Sequence, residues 1–279
     1  MQGLDSVSIA FLGGGNMARA LLGGLLKRGL QPANVVVGEP IESARTSLQR
    51  DFGVRCTADN ASAVEHAQVI VLAVKPQAAR AVLGALVPRF VARRPPLLLS
   101  VAAGLRAADL ARWCDGRVVV VRSMPNRPAL MGAGATGLYA GAGVGEPQRK
   151  LAQSLMSATG AVVWVESEAL LDIVTALSGS GPAYFFLLAE HMAEAAVRAG
   201  LAPDAARLLA AQTLYGAGLM AVAPDADLGR LRSEVTSKGG TTHAAIEVFR
   251  AGEFAALIDG AMAAAAQRSR ELAQQLGED

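Results

Sequence analysis

The chain has 279 residues, a length that usually makes one large domain or two of ordinary size. Hydrophobic residues make up 52% and aromatic residues only 4%, so alanine, leucine and valine have to fill a substantial core. The net charge is +2 and no basic block is concentrated, which argues against a nucleic-acid-binding protein.

The amino-terminal residues and the cysteines indicate a compartment. The first residues are too polar for a signal peptide, and no apolar run reaches the ~18 residues that a membrane span needs. Cys56 and Cys114 have no metal-ligand spacing and make no disulfide framework. We therefore expect a cytoplasmic protein with no metal site and no membrane partner.

The first apolar run, residues 7–12, ends in three consecutive glycines and is followed by a helical pattern. Gly13, Gly15 and Ala18 fit the dinucleotide-binding pattern G-x-G-x-x-G/A. In this pattern the first glycine allows a sharp turn, the second lets a pyrophosphate approach the backbone, and the small third residue lets the helix pack close to the sheet. The free N–H groups at the start of the helix then face the phosphates.

Short β-branched runs recur through the first 167 residues, with helical stretches between several of them. Runs without polar alternation are typical of parallel strands covered on both faces, and strand–helix alternation predicts a right-handed doubly wound sheet. We therefore predict an α/β dinucleotide-binding Rossmann domain over residues 1–167. The expected strands are residues 7–12, 35–37, 69–74, 97–101 and 118–121, then two weaker ones at 136–139 and 162–165.

The second strand ends at an acidic residue, for which two interpretations stay open. An acidic residue about 20 positions after the glycines commonly binds the ribose 2′-hydroxyl of adenosine, and Glu39 lies 24 residues after Gly15. Alternatively, Pro40 occupies the first position of a helix, and Glu39 complements the dipole of that helix.

Three later strands also end in unusual residues, at positions 73–76, 100–104 and 122–128. In an open α/β sheet, ligands lie beyond the carboxyl ends of the strands. The small residues at 102–104 would let a nicotinamide ring lie against the backbone. Glycine and proline also end strands as ordinary turn residues, but three such ends at one sheet edge favour a ligand site.

From residue 168 the pattern becomes helical. Pro182 and Pro203 suit the first turns of helices, and Gly200 suits a helix end. Several helices are apolar nearly all round, so they must be buried on several sides, and one small domain cannot easily bury them alone. We therefore predict that residues 168–279 form an all-helical domain with an obligate dimer interface. The expected helices are residues 170–177, 182–199, 203–221, 227–235, 242–250 and 253–275.

The linker between the helices that end near Val235 and begin near Thr242 carries hydroxyls and two glycines. Backbone N–H groups before a helix can hold an anion without a side-chain cation, so a small carboxylate fits here. The local chemistry alone favours the simpler interpretation of a capped turn between two helices.

Taken together, these motifs resemble those of the pyrroline-5-carboxylate reductase family, the last enzymes of proline biosynthesis. The resemblance is collinear over nearly the whole chain and is most specific at residues 178–184 (Ser-Gly-Ser-Gly-Pro-Ala-Tyr) and 235–242 (Val-Thr-Ser-x-Gly-Gly-Thr-Thr). It implies reduction of the cyclic imine 1-pyrroline-5-carboxylate to L-proline by NAD(P)H. It also reverses the preference at residues 235–242, which it implies to be the carboxylate site.

The resemblance implies a set of site residues. The hydroxyl of Thr242, followed by those of Ser180 and Ser237, is the best candidate to contact the imine nitrogen, so Thr242 and Ser180 are expected to be catalytic. The residues expected at the substrate are Val235, Ser237, Gly239, Gly240, Thr241 and Thr242. Those expected at the cofactor are Leu12, Gly13, Gly14, Gly15, Asn16, Met17, Glu39, Asn60, Ala73, Val74, Lys75, Pro76, Ala102, Ala103, Gly104 and Asn126.

The family often prefers NADPH, but two carboxylates, Glu39 and Glu42, precede the first arginine after the second strand. Because a carboxylate repels a 2′-phosphate, we expect NADH to be accepted well beside NADPH. The chain departs from the family at three further places. It has Ser233, Lys238 and Arg127 where the family usually has Asp, Pro and Thr.

Two other classes of protein remain to be weighed. A 3-hydroxy acid dehydrogenase of the same architecture uses a catalytic lysine in its second domain, but no lysine occurs between Lys150 and Lys238. A non-enzymatic nucleotide sensor would not need the intact Gly-Gly-Thr-Thr stretch. Besides the imine and L-proline, the expected partner is a second copy of the chain, as a dimer or a larger ring of dimers.

Overall fold

The computed structural model describes residues 6–90 and 95–277. The chain divides into two compact units, which we call the sheet unit (Met1–Gly179 with Ala265–Asp279) and the helical unit (Ser180–Ala264). The division predicted from the sequence, at residues 167 and 168, stays a prediction. Each unit is described by itself below.

A single eight-stranded sheet forms the centre of the sheet unit. Its strands are β1 (Ile9–Leu12), β2 (Val35–Gly38), β3 (Arg55–Thr57), β4 (Val69–Leu72), β5 (Leu97–Ser100), β6 (Val119–Met124), β7 (Gly134–Ala140) and β8 (Gly160–Trp164). Their order is β3-β2-β1-β4-β5-β6-β7-β8, and every neighbouring pair is parallel except β6 and β7. The predicted doubly wound α/β sheet is confirmed.

Two features of the sheet differ from the expectations. Strand β3 was not predicted, because a three-residue edge strand with an exposed arginine makes no apolar run. Strands β6 and β7 are antiparallel because the residues 125–133 that join them are too few for a parallel crossover.

Helices cover both faces of the sheet. They are α1 (Asn16–Lys27), α2 (Glu42–Phe52), α3 (Asn60–Val64), α4 (Pro76–Leu86), α5 (Ala107–Trp113), α6 (Glu146–Met156) and α7 (Leu170–Val174). Successive residues of β1 point to opposite sides, so Phe11 packs with Leu22 in one core and Ala10 packs with Leu83 in the other. This two-sided burial is why the strands lack polar alternation.

The helical unit contains α8 (Gly181–Arg198), α9 (Pro203–Ala221), α10 (Leu228–Glu234), α11 (Thr241–Ala251) and the start of α12 (Phe254–Gly277), which ends in the sheet unit. The predicted helices match these closely. Gly200, with φ +104°, lies directly after the last turn of α8, as a helix-ending glycine should.

One stretch, Leu170–Arg198, is long and apolar enough by length and composition to cross a membrane. The expectation that no segment reaches this length is therefore wrong. Helices of soluble proteins that are covered on several sides pass the same test, so the stretch is weak evidence for a membrane.

Candidate active site

The register of the sheet brings the predicted strand ends into one row. Across the five central parallel strands, the residues paired side by side are Gly38, Leu12, Leu72, Ser100 and Arg122. The residues that follow them therefore lie along one edge, at the carboxyl ends of the strands. This is where open α/β sheets bind ligands.

The glycine-rich turn, residues 13–15 between β1 and α1, has the geometry that its sequence predicts. Gly13 has φ +96°, and a Cβ there would lie 2.8 Å from the Ala73 carbonyl oxygen, so only glycine fits. A Cβ on Gly15 would meet no atom of the described residues within 4 Å, which leaves open space in front of α1. Among the residues that the structure describes, no side chain caps α1, and the first turn of α1 contains no acidic residue. Its N–H groups are thus available to a pyrophosphate.

Glu39 is nearly buried, with 9% of its surface exposed, and both carboxylate oxygens accept backbone hydrogen bonds. Oε2 accepts from the Gly14 N–H at 2.9 Å and Oε1 accepts from the Ile41 N–H at 3.0 Å. The interpretation in which Pro40 opens a helix is wrong, because α2 begins at Glu42. Glu39 instead links the end of β2 to the glycine-rich turn.

Arg45 reaches back from α2 to the end of β2. Its Nη1 donates to the carbonyl oxygens of Glu39 at 2.8 Å and Pro40 at 2.7 Å. A guanidinium and a carboxylate thus lie together where an adenosine ribose would bind, so charges of both signs are present there.

Asn60 has an unsatisfied group at the same edge. Its side-chain Oδ1 is buried and has no hydrogen-bond partner within the described part of the chain. A Cβ on Gly38 would collide with this oxygen, so the side chain lies against the end of β2. An orphaned buried acceptor beside an open, uncapped helix terminus fits a ligand with hydroxyl donors and phosphates, such as NAD(P)H.

The loop that follows β5 is held at its start by hydroxyl groups. The Ala102 N–H donates to Ser100 Oγ at 3.3 Å, and Ser123 Oγ donates to the Ser100 carbonyl at 2.8 Å. Ala102 is buried, Ala103 is exposed, and Gly104 has φ +80°. The loop therefore presents small residues and backbone at the ligand edge.

Two further predicted cofactor residues have different surroundings. Lys75 is exposed at the start of α4, next to Pro76 in the first turn. Asn126 is buried and its amide is engaged, since Nδ2 donates to the Ser178 carbonyl at 2.9 Å and Oδ1 accepts from the Ala135 N–H at 2.9 Å. The side chain of Asn126 thus joins two segments of the sheet unit, and its role at the cofactor stays a prediction.

A buried polar network beneath this edge was missed from the sequence. Arg122 Nη1 donates to Glu168 Oε1 at 2.7 Å, and the Ala107 N–H donates to the same oxygen at 2.6 Å. Burial lowers the pKa of the Arg122 guanidinium, and the Glu168 carboxylate opposes that shift. Arg106 pairs at 2.9 Å with the buried Asp172. The sequence feature that could have revealed this network is Asp172, an aspartate inside the otherwise apolar run of α7.

The predicted substrate segment lies in the helical unit, between α10 and α11. Thr236 Oγ1 donates to the Arg232 carbonyl at 2.5 Å, and the Gly240 N–H donates to the Ser237 carbonyl at 3.0 Å. Gly239 has φ +73°, and Gly240 is the residue before α11, a helix that no side chain from residues 6–90 or 95–277 caps. The capped-turn interpretation therefore fails at the start of α11, where N–H groups are open to an anion.

The remaining predicted residues of this segment lie around the same turn. Val235 and Thr241 are exposed, while Thr242 is half-buried in the first turn of α11. Ser180 immediately precedes α8 and follows a π-helical turn, Thr175–Gly179. Within residues 6–90 and 95–277, the hydroxyls of Thr242 and Ser180 have no hydrogen-bond partner. Both are therefore able to bond a ligand.

Comparisons with known proteins identify the relatives of this chain. The family described as Pyrroline-5-carboxylate reductase dimerisation matches residues 168–272, and the family described as NADP oxidoreductase coenzyme F420-dependent matches residues 8–104. Pyrroline-5-carboxylate reductase from Pseudomonas aeruginosa is 46% identical over 99% of this chain and 100% of its own length. The enzyme from Vibrio alginolyticus is 40% identical over 96% of this chain and 98% of its own.

Solved structures give the same result. A pyrroline-5-carboxylate reductase from Coxiella burnetii has a TM-score of 0.92 and 40% identity, covering 96% of this chain and 98% of its own. A pyrroline carboxylate reductase from Plasmodium falciparum with NADP bound has a TM-score of 0.82 and 26% identity, covering 97% and 100%. A 3-hydroxyisobutyrate dehydrogenase from Mycobacterium tuberculosis shares only the fold, at 15% identity and a TM-score of 0.52. On these findings, the chain belongs to the pyrroline-5-carboxylate reductase family.

Proposed function

We propose that this chain carries out the reaction of its family with the two sites described above. It is an NAD(P)-dependent oxidoreductase that reduces 1-pyrroline-5-carboxylate to L-proline, the final step of proline biosynthesis. The observation that carries the site assignment is the pair of uncapped helix termini. One opens α1 behind the glycine-rich turn, and the other opens α11 behind Gly240.

We assign the cofactor to the carboxyl edge of the sheet. The open space at Gly15 and the free start of α1 would take the pyrophosphate. The orphaned Asn60 Oδ1 and the Glu39 carboxylate would accept hydrogen bonds from ribose hydroxyls. The loop at residues 102–104 would face the nicotinamide ring. In this proposal the enzyme accepts both NADH and NADPH. The Arg45 guanidinium lies at the end of β2, where its positive charge would reduce the repulsion between the Glu39 carboxylate and a 2′-phosphate.

We assign the substrate carboxylate to the turn before α11. The N–H groups of Gly239, Thr241 and Thr242 lie around the positive end of the dipole of α11, so they can hold an anion without a cationic side chain, whereas the Gly240 N–H already donates to the Ser237 carbonyl. Lys238 is exposed beside this turn and adds a positive charge where the family usually has proline. Ser233, which stands where the family usually has aspartate, donates from Oγ to the Arg230 carbonyl at 2.8 Å, so its hydroxyl is hydrogen-bonded within α10.

The chemistry needs little from the protein beyond orientation and a proton. Bound NAD(P)H supplies a hydride from the C4 position of the nicotinamide, and the imine carbon accepts it. The Thr242 hydroxyl, with Ser180 and Ser237 next, would contact the imine nitrogen and pass it a proton through water. Orienting the two rings would contribute to the rate enhancement, because a bound, aligned pair avoids the entropic cost of bringing the reactants together. His66, His191 and His243 have no role in this proposal.

We propose that the helical unit assembles the enzyme as an obligate dimer, from which larger rings of dimers can form. A groove of about 1110 Å³ between α8 and α9 is lined by Phe186, Val197, Leu214 and Tyr215, and its apolar lining suits a helix from a second copy. Covering these helices would bury well over the ~2,000 Å² of the larger obligate interfaces. A cytoplasmic location, supported by two free cysteines, completes the proposal.

A single set of assays tests the function. Oxidation of NADPH and of NADH is followed by absorbance with 1-pyrroline-5-carboxylate, and the product is identified as L-proline. The same preparation is assayed with 3-hydroxy acids and NAD(P)⁺. Turnover of the imine and none of the hydroxy acids is the expected result. Turnover of a hydroxy acid alone would favour the dehydrogenase alternative, and no turnover of either would overturn the proposal.

A further inference from the structure

We propose that Asp172 and Ser269 are positioning residues for hydride transfer, because together they hold the loop at residues 101–106. The inference rests on the proposed function, in which the nicotinamide ring lies against this loop. Neither residue touches the substrate or the cofactor in the proposal. They act through Arg106 and through the carboxyl-terminal part of α12.

The loop is tied at its far end by two carboxylates from one segment of the sheet unit. Arg106 Nη2 donates to Asp172 Oδ2 at 2.9 Å. The Ala107 N–H, which opens α5, donates to Glu168 Oε1 at 2.6 Å. With the Ser100 hydroxyl holding the near end, both ends of the loop are fixed by hydrogen bonds.

Helix α12 supports the middle of the loop. A Cβ on Gly104 would lie 3.1 Å from Leu276 Cδ1 and 3.7 Å from the Ala273 backbone nitrogen, so this part of α12 lies against the loop. One turn earlier on α12, Ser269 Oγ donates to Asp172 Oδ1 at 2.7 Å. The same carboxylate therefore ties both α12 and Arg106.

Burial makes stability alone a poor explanation for this arrangement. The side chain of Asp172 is only 3% exposed, so its charge loses nearly all contact with water. Apolar side chains of similar volume often stabilise a fold as well as a buried ion pair does. The carboxylate adds a defined geometry, because one of its oxygens holds Arg106 and the other holds α12, each at a fixed distance.

The expected functional consequence is specific. Reacting atoms must approach within about 3–3.5 Å, and a misplacement of about 1 Å can cost 10²-fold in rate. The affinity for the cofactor, by contrast, comes mainly from the glycine-rich turn and the end of β2, which do not touch Asp172. Loosening the loop should therefore lower kcat while leaving the dissociation constant of NADPH nearly unchanged.

The test compares Asp172→Asn and Ser269→Ala with Asp51→Asn. Asp51 is a matched control, since it pairs with Arg19 at 3.0 Å in the same unit but lies far along the sequence from the loop and is 33% exposed. We expect Asp172→Asn to lower kcat at least tenfold and Ser269→Ala to lower it about threefold, with the NADPH dissociation constant changed less than threefold. The primary isotope effect with NADPH deuterated at C4 should rise in both variants, and Asp51→Asn should leave all three quantities unchanged.

A second measurement does not depend on turnover. The anisotropy decay of bound NADPH fluorescence should gain a fast component in Asp172→Asn and Ser269→Ala, because the nicotinamide ring moves when the loop does. If both folded variants keep the wild-type kcat and anisotropy decay, the inference is overturned. It is also overturned if NADPH affinity and kcat fall in parallel, since that is the result of a general structural role.

If Asp172→Asn does not fold, Ser269→Ala decides the question by the same two readouts. Failure of the proposed function has a different signature, namely a wild-type protein that does not oxidise NAD(P)H with 1-pyrroline-5-carboxylate. In that case the anisotropy decay of bound NADPH still reports on the loop.

Discussion

The sheet unit and the helical unit differ in how far they bury their large apolar side chains. In the sheet unit, strands and helices bury large side chains such as Phe11, Leu22 and Leu83 almost completely. Among the described residues of the helical unit, only Gly181 and Ala206 are buried, while Phe186 is 61% and Leu208 is 67% exposed. One unit completes its own core, and the other does not within a single chain.

The difference shows what each unit needs from its surroundings. A doubly wound sheet covers both of its faces with its own crossover helices, so it is complete within one chain. Nearly all-round apolar helices need further apolar surface, and the family matched by residues 168–272 is named for dimerisation. We therefore expect changes in the helical unit to affect assembly and substrate, and changes in the sheet unit to affect the cofactor and local stability.

The largest expected effect comes from Phe186→Asp, which places a charge on the exposed apolar face of α8. Burying this carboxylate in an interface is costly, so the dimer should dissociate at least about 100-fold more readily, the equivalent of about 2.7 kcal/mol. Light scattering across a dilution series measures the change. The control is Met131→Asp, since Met131 is 86% exposed but lies in the sheet unit. A Phe186→Asp protein that stays dimeric like the control would contradict the role of this face.

The second effect concerns the carboxylate site. A Cβ on Gly240 would lie 2.5 Å from Ser237 Oγ and 3.2 Å from the Ser237 carbonyl oxygen, so the side chain of Gly240→Val crowds the turn and the space in front of its N–H groups. We expect KM for 1-pyrroline-5-carboxylate to rise roughly 30-fold, or about 2 kcal/mol, while the NADPH dissociation constant changes little.

The control is Gly84→Val in α4, where a Cβ meets no atom of the described part of the chain within 4 Å, and it should leave KM unchanged. Steady-state kinetics and a fluorescence titration of NADPH measure the two quantities. An unaltered KM in a folded Gly240→Val protein would refute the assignment.

The third effect concerns the choice between NADPH and NADH. Glu39→Gln keeps the shape of the side chain and removes its charge, so the ratio of kcat/KM for NADPH over NADH should rise roughly tenfold, the equivalent of about 1.4 kcal/mol. The thermal midpoint should also fall, because an amide cannot accept both backbone hydrogen bonds as the carboxylate does.

The matched control is Glu42→Gln, an exposed carboxylate three residues along the chain, which should change the ratio less than half as much. If the ratio stays at the wild-type value while stability falls, Glu39 only supports the glycine-rich turn.

The smallest effect is a pH dependence in the sheet unit. Hydrogen bonds from Arg50, Arg19 and Ser47 lower the pKa of Asp51 from 3.8 to about 2. Because the folded pKa lies below the unfolded one, this contribution to stability is complete above the unfolded pKa and is lost as pH falls toward 2.

Asp51→Asn should therefore lower Tm only slightly at pH 7, by about 1 °C because solvent screens this ion pair, and the difference should shrink between pH 4 and pH 2. The control is Asp204→Asn in the helical unit, because the Asp204 side chain is 92% exposed and its ion pair with Arg207 should contribute nothing measurable. A Tm difference for Asp51→Asn that is constant from pH 7 to pH 2 would contradict the role of its charge.

Periodicity and turn residues made most of the fold predictable. Uninterrupted apolar runs identified β1, β2, β4 and β5, because strands covered on both faces need no polar alternation. The helices of the carboxyl-terminal half followed from first-turn prolines and Gly200. Strand β3 was not predicted because three residues are too few to show a hydrophobic period. The antiparallel pairing of β7 was not predicted because it depends on the length of the connection from β6, which apolar patterns do not encode.

The candidate site was predictable where backbone geometry dictates the residue type. Gly13 is a glycine because its φ is +96° and a Cβ would meet the Ala73 carbonyl oxygen, and such a position can be seen in a motif. The pairing of Asp172 with Arg106 and Ser269 was not predictable, since these residues are 66 and 97 positions from Asp172 along the chain. Only the packed structure brings α5, α7 and α12 to one carboxylate.

The most direct test of the account is a crystal structure of the protein with NADP⁺ and L-proline bound. The account predicts the pyrophosphate within hydrogen-bond distance of the backbone N–H groups that open α1, behind Gly15. It predicts the carboxylate of L-proline on the N–H groups of Gly239, Thr241 and Thr242. A carboxylate bound instead to an arginine side chain, or a pyrophosphate away from the glycine-rich turn, would contradict the division of labour between the two units.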